Sequence, residues 1–189
     1  MGTIIVTEFV SLDGVMEAPG GGESYKHRGW TFEINRGKEG DQFKLDEALD
    51  AEALLLGRVT YQSFAAAWPT RKGELADKFN SMPKYVISST LDKGQWNNTT
   101  VLKGNAVENV ANLKKKLRGN IVVHGSARLV QTLLEHGLVD ELRLMVFPVV
   151  LGTGKGLFGA TSDKKRLHLT ESKTVGDGVV ILTYKASTQ

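Results

Sequence analysis

Three stretches of the chain run from apolar residues straight into small, hydroxylated or cationic ones. That is the composition of a strand delivering its last residues to an anionic ligand. In Leu54-Leu55-Leu56-Gly57-Arg58-Val59-Thr60-Tyr61, Gly57 leaves the backbone open to close approach. Arg58 supplies a permanent planar cation suited to phosphate, and Thr60 offers a hydroxyl or a helix cap. An ordinary strand–helix turn with a surface Arg has the same composition. In Tyr85-Val86-Ile87-Ser88-Ser89-Thr90, hydroxyls follow an apolar run and suit ribose or phosphate oxygens, though such residues also form turns. In Ile121-Val122-Val123-His124-Gly125-Ser126-Ala127-Arg128, Gly125, Ser126 and Ala127 are small enough to leave backbone N–H groups open to a pyrophosphate. The full Gly-x-Gly-x-x-Gly pattern is missing, so this is not a standard dinucleotide fingerprint.

The candidate acids are fewer. Asp13 sits in Ser11-Leu12-Asp13-Gly14, either reaching a ligand's polar groups or making the turn. Asp41 either reaches a substrate or serves as a helix N-terminal residue. Glu17, Glu23, His27 and Trp30 flank a flexible Pro19-Gly20-Gly21-Gly22 stretch, read as a mobile lid or a plain surface loop. Trp30 could stack on a flat heterocycle, though packing in the core or under the lid is the expectation. His124, at a strand end, is expected to be a hydrogen-bonded structural residue. The four histidines (27, 124, 136 and 168) show no i,i+4 pair, so no metal site is expected. With no cysteine in the chain, disulfides, thiol catalysis, thiolate zinc and iron–sulfur clusters are excluded.

These segments need a scaffold, and 189 residues suit one domain spanning 1–189. Strands are predicted over 3–10, 53–56, 84–88, 99–102, 120–124 and 142–150. Helices are predicted over 41–50, 59–67, 74–82, 107–117 and 127–136, with Phe43, Leu45, Ala48 and Leu49 as the apolar positions of the first. Two further strands, 167–175 and 179–185, flank Gly176-Asp177-Gly178, a hairpin signature. Strand–helix units followed by antiparallel strands argue for an α/β fold with a mixed sheet and helices on both faces. A net charge of +3 is too slight for a nucleic-acid-binding surface. Lys114-Lys115-Lys116 reads as the favourable end of a helix. The first ten residues carry no basic leader, and no apolar stretch approaches the ~18 residues of a membrane span. A cytoplasmic protein handling small molecules, with no membrane partner, is expected.

Taken in order, the motifs resemble dihydrofolate reductase and, more closely, the reductase domain of the bifunctional riboflavin-biosynthesis deaminase–reductase. The matching pieces are Ser11-Leu12-Asp13-Gly14, Leu56-Gly57-Arg58-x-Thr60-Tyr61, Ser88-Ser89 and His124-Gly125-Ser126-Ala127-x-Leu129. Pro148-Val149-Val150-Leu151-Gly152-Thr153-Gly154 completes the set, running into Leu157-Phe158. The resemblance implies a three-layer α/β/α fold with an antiparallel C-terminal hairpin, and NADPH as cofactor. It places Gly57, Arg58 and Thr60 on a phosphate of the adenosine half, with Ser88 and Ser89 nearby. Gly125, Ser126 and Ala127 would hold the pyrophosphate, and an Arg near a 2′-phosphate favours NADPH over NADH. Asp41 stands at the spacing of the helix-borne acid of dihydrofolate reductases, and Asp13 lies in the riboflavin-type motif. The implied substrate is a ribosylamino-pyrimidine, with dihydrofolate and non-catalytic nucleotide binding as alternatives. No His-x-Glu with Pro-Cys-x-x-Cys, the deaminase signature, occurs in the chain. A homodimer is implied as well.

Overall fold

Branched residues from Thr3 to Val6 open the first strand of the computed structural model, which describes residues 1–187; positions 188 and 189, at the end of the expected domain, lie outside the described residues. The strands are β1 (Thr3–Ser11), β2 (Ala51–Gly57), β3 (Lys84–Ile87), β4 (Thr99–Leu102), β5 (Asn120–His124), β6 (Glu141–Phe147), β7 (Leu167–Val175) and β8 (Val179–Ala186). The helices are α1 (Gly37–Asp50), α2 (Arg58–Ala67), α3 (Glu74–Ser81), α4 (Ala106–Lys116) and α5 (Ala127–Glu135). All eight strands join one sheet in the order β4-β3-β2-β5-β1-β6-β8-β7. The first six run parallel, and β8 and β7 close it antiparallel. No helix among the described residues is long and apolar enough to cross a membrane.

The central strands are apolar on both sides because helices cover both faces. Ile4, Val6, Ile121 and Val123 face a cluster with Val110 and Leu113 of α4 and Leu129, Val130 and Leu133 of α5. Ile5, Leu54, Leu56 and Val122 face Ala48 of α1, Tyr61 of α2 and Phe79 of α3. This is the expected α/β/α arrangement of the dihydrofolate-reductase type. β7 is the polar, mostly exposed edge, with Lys173 and Glu171 among the charges that discourage strand addition. Its turn into β8 requires glycine. Gly176 has φ 51°, and a Cβ there would lie 2.1 Å from the Asn35 carbonyl oxygen.

Three expectations are corrected. The strand expected to reach 150 ends at Phe147, since Pro148 has no N–H to continue a ladder. The first helix begins at Gly37 rather than Asp41. Its buried side differs in part: Ala48 turns inward as expected, but with Lys44 and Glu47, while Leu49 is 41% exposed. The helix packs a polar pair, not an apolar stripe, against the sheet.

Candidate active site

At the carboxyl edge of the sheet, β5 stops at His124 while β1, paired with it through Thr7–His124, continues four residues to Ser11. Beyond His124, where β5 no longer lies between them, a gap therefore opens between β1 and β2. The chain leaves β1 through α1 to reach β2, and leaves β5 through α5 on the opposite face to reach β6. This is the switch point at which open α/β sheets form a crevice. A cavity of about 1120 Å³ opens there. A pocket for one drug-sized ligand holds roughly 300–1,000 Å³, so there is space for two ligands side by side.

One end of the cavity is built for anions. Gly57, Arg58 and Thr60 line it beside Gly125, Ser126 and Ala127. The helices that start there, α2 and α5, have no side chain capping their first N–H groups. In α4, by contrast, Asn105 accepts from Val107 N and Glu108 N. Uncapped N–H groups and the helix dipole together favour negative charge. Gly125 and Ser126 are consecutive left-handed residues, φ 58° and 65°. A Cβ on Gly125 would meet Thr60 Oγ1 at 2.8 Å, so glycine is needed for both conformation and space. Ser126 Oγ accepts from Gly57 N–H at 2.8 Å, which fastens the two turns to each other. Arg58 donates one N–H to Gln62 at 3.0 Å and keeps its remaining donors.

Ser88 and Ser89 do not line this cavity. The Ser88 hydroxyl accepts from Thr90 N and Leu91 N at 3.2 and 3.0 Å, so its acceptor positions serve the turn that follows β3. Asp13 is also turned away. It accepts from Ser11 Oγ at 2.6 Å, Leu151 N at 3.1 Å and Gly152 N at 2.7 Å, and these bonds hold its carboxyl down at about 2. It anchors the segment after β6. Asp41 does line the cavity, with Arg36 Nε donating to it at 2.6 Å. Trp30 is core: it is buried, packs edge-on against Phe147 and donates to Glu17 O. Its neighbour Phe32 is 76% exposed and lines the mouth. The glycine-rich loop is tied down at the rim, where Lys155 Nζ lies 3.1 Å from Glu17 and 3.6 Å from Glu23.

Where the anion end meets the rest of the cavity lies a buried polar group that sequence reasoning missed. Glu8 is 5% exposed. One of its oxygens accepts from Gly125 N–H at 3.0 Å, and the other, Oε1, has no partner. Burial pushes its carboxyl well above the ordinary range, partly opposed by the Gly125 hydrogen bond and by Lys44. On the other face of the sheet, Lys44 Nζ lies 2.6 Å from both Thr7 Oγ1 and Glu47 Oε2. Arg143 reaches Glu47 at 3.5 Å and also binds Glu141. His124 Nε2 is buried and unpartnered, so the expected hydrogen bond is not made at that nitrogen. Burial, and then Lys44, push this imidazole well below its usual value and keep it neutral. A faint signal for Glu8 exists in the sequence. It falls on the alternation Ile4, Val6, Val10, whose other members are all core. No cluster of three or more residues that could hold a metal occurs among the described residues.

The comparisons with known proteins agree with this geometry. The solved structure of a riboflavin biosynthesis protein, described as putative, from Shewanella sp. PV-4 superposes with a TM-score of 0.75 at 23% identity, covering 98% of this chain and 99% of that one. Dihydrofolate reductase from Enterococcus faecalis, complexed with NADP(H), gives a TM-score of 0.62 at 16% identity, covering 99% and 98%. The uncharacterised protein YyaP of Bacillus subtilis is 31% identical over 186 residues, 96% of this chain and 93% of the relative. The family description "RibD C-terminal domain" matches residues 2–181, and this chain belongs to that family.

Proposed function

We propose that the chain is an NADPH-dependent reductase acting on a heterocyclic substrate, a ribosylamino-pyrimidine of the riboflavin-biosynthesis type. One observation carries this reading. Two uncapped helix N-termini and the Arg58 guanidinium converge on one end of a cavity that has space for a second ligand. The residues present fit the cofactor. The left-handed Gly125-Ser126 turn presents bare backbone beside Thr60, which leaves no space for a Cβ at Gly125, and Arg58 is a fork-shaped partner for a terminal phosphate. Arg58 and Thr60, with Gly57 at the turn, would hold a phosphate of the adenosine half. The turn at Gly125, Ser126 and Ala127 would hold the pyrophosphate through the free N–H groups at the start of α5, the Gly125 N–H itself being engaged with Glu8.

When bound, the dihydronicotinamide supplies a hydride to an electrophilic carbon. The protein's own work is orientation, exclusion of water and proton supply. The Glu8 and Asp41 end of the cavity would take the substrate, and Phe32 at the mouth offers a flat apolar face to a heterocycle. Asp41 on the cavity wall also keeps dihydrofolate as a second candidate substrate, and competition by a folate analogue separates the two. A cytoplasmic setting goes with this chemistry. So does a homodimer, since Leu12, Val150 and Phe158 are exposed around the segment after β6; light scattering showing a monomer would remove that part.

The test is an equilibrium titration with NADPH and NADH in parallel. Micromolar NADPH binding with much weaker NADH binding supports the reading and opens a substrate screen. Binding of neither removes the reductase assignment, and NADPH binding with no turnover leaves a nucleotide-binding protein.

A further inference from the structure

Glu8 is a buried acid in the cavity with half of its carboxyl unused. Oε2 has its partner in Gly125 N–H at 3.0 Å, whereas Oε1 has none. The rest of its strand face is Ile4, Val6 and Val10, so no neighbouring side chain supplies a donor. The nearest cation, Lys44, is already engaged with Thr7 and Glu47 across the sheet. Besides Lys44, the charged or titratable groups lining the cavity are neutral His124 on β5, Arg58 and Arg128 on α2 and α5, Asp41 with Arg36, and Glu33, Arg71 and Asp177 farther out; Glu47 stands behind Lys44 on α1. At the rim stands Lys155 with Glu17 and Glu23. None of them makes a hydrogen bond to Glu8.

An ionised carboxylate in such a place is costly without donors, whereas a protonated one is a donor in need of an acceptor. The Gly125 bond fixes the side chain at the turn that would cradle the pyrophosphate, so Glu8 stands where the two halves of the cavity meet. Asp41, the other acid on the wall, has a side chain 67% exposed and committed to Arg36. Glu8 is the acid shielded from water.

We propose that Glu8 holds the transferable proton of this site, on Oε1, and delivers it to an acceptor nitrogen or oxygen of the substrate. This rests on the reductase reading. The O–H bond at Oε1 breaks as a new N–H or O–H bond forms on the atom that receives the electron pair displaced by hydride addition. The hydride and its two electrons come from the dihydronicotinamide, and the substrate gains one hydride and one proton. The carboxylate left behind keeps its Gly125 hydrogen bond, feels the charge of Lys44, and regains a proton from water. The substrate must therefore present an unprotonated acceptor toward β1, as an imine or ring nitrogen or a carbonyl does.

The test has two arms. In the first, the glutamate side-chain carboxyl carbons of the full chain are followed by ¹³C NMR as pH rises, without cofactor. One signal, absent in Glu8→Gln, is expected to titrate well above the ordinary carboxylate range; if every glutamate titrates in that range, the proposal is overturned. In the second, Glu8→Gln is expected to keep NADPH affinity within about threefold while kcat falls by 10²–10⁴-fold, the span of general acid catalysis. Glu8→Asp, which keeps the proton but sets it back, recovers part of the rate. Unchanged kcat in Glu8→Gln, or collapse of its NADPH affinity, overturns the proposal; the latter would make Glu8 a support for Gly125. Failure of the reductase reading itself shows separately, as wild-type protein that does not bind NADPH, and the carboxyl titration does not depend on it.

Discussion

Two strands of this sheet each bury an ionisable side chain, and they treat it in opposite ways. On β3, Lys84 is wholly buried. Its Nζ donates to the carbonyls of Asn80, Met82 and Asn97 at 3.0, 2.8 and 2.9 Å and lies 4.4 Å from the centre of the Trp96 ring. All three donors are used, and the lysine fastens the end of α3 and the loop before β4 to the sheet. On β1, Glu8 is almost as deeply buried but keeps one oxygen without a partner. A satisfied buried charge completes an architecture; an unsatisfied one, beside a cavity, is a group whose partner arrives with a ligand.

The largest effect expected from this contrast is on stability at Lys84. Lys84→Met keeps the volume but strips donors from three carbonyls, each worth roughly 1–3 kcal/mol if left unsatisfied. A loss of about 3 kcal/mol or more in denaturant unfolding is expected, with NADPH affinity unchanged. A change below about 1 kcal/mol would mean that water replaces the ammonium and that the contrast with Glu8 is weaker than drawn. The pH dependence sharpens it. Burial lowers the Lys84 ammonium from 10.5 to about 8. Between those values the unfolded chain binds a proton that the folded one has released, so the stability of the wild type rises with pH there. Lys84→Met lacks this rise, and the gap between the two proteins widens from pH 8 to 10.5.

The anion end of the cavity gives the next largest effect. On the proposed assignment, Arg58→Ala removes a charge-assisted phosphate contact of roughly 1.5–3 kcal/mol. It should weaken NADPH by about 10- to 150-fold and NADH far less, with no change in unfolding. Equal losses for both cofactors would move Arg58 off the terminal phosphate.

Some of this was legible in the sequence. The parallel strands and the hairpin at Gly176-Asp177-Gly178 follow from branched apolar runs and positive-φ glycines, which act locally. Gly57, Arg58, Thr60, Gly125, Ser126 and Ala127 also gather on one cavity wall, because they span the turns and first helical residues after β2 and β5, and the topology brings those two ends to one edge. Lys44 and Glu47 were not legible as inward-facing residues, and Glu8 only faintly, through its alternation with core positions. A periodicity reading assigns polar residues to solvent, so of Phe43, Leu45, Ala48 and Leu49 it places Ala48 correctly but misses Lys44 and Glu47 beside it, and it passes over the carboxyl among Ile4, Val6 and Val10. The partners that make such burial tolerable, Thr7, Arg143 and Gly125, lie up to 117 residues away. Ser88 shows the converse limit, since a hydroxyl after a strand looks the same whether it meets a ligand or its own turn.

Asp13 offers the smallest effect and the finest version of the comparison, because it is an acid like Glu8 but exposed and fully engaged. Its bonds to Ser11 Oγ, Leu151 N and Gly152 N lower its carboxyl from 3.8 to about 2. The folded state therefore holds the proton less tightly than the unfolded one. Its stabilising contribution is complete above pH 3.8 and is lost as pH falls through about 2. Asp13→Asn should reproduce that loss at neutral pH, since an amide keeps one acceptor oxygen for two backbone donors. Hydrogen exchange should quicken at Leu151 and Gly152, with NADPH affinity unaltered and kcat nearly so. A large fall in kcat with exchange unchanged at those two amides would instead put Asp13 on the substrate, and the division between an anchoring acid and a proton-holding one would have to be redrawn.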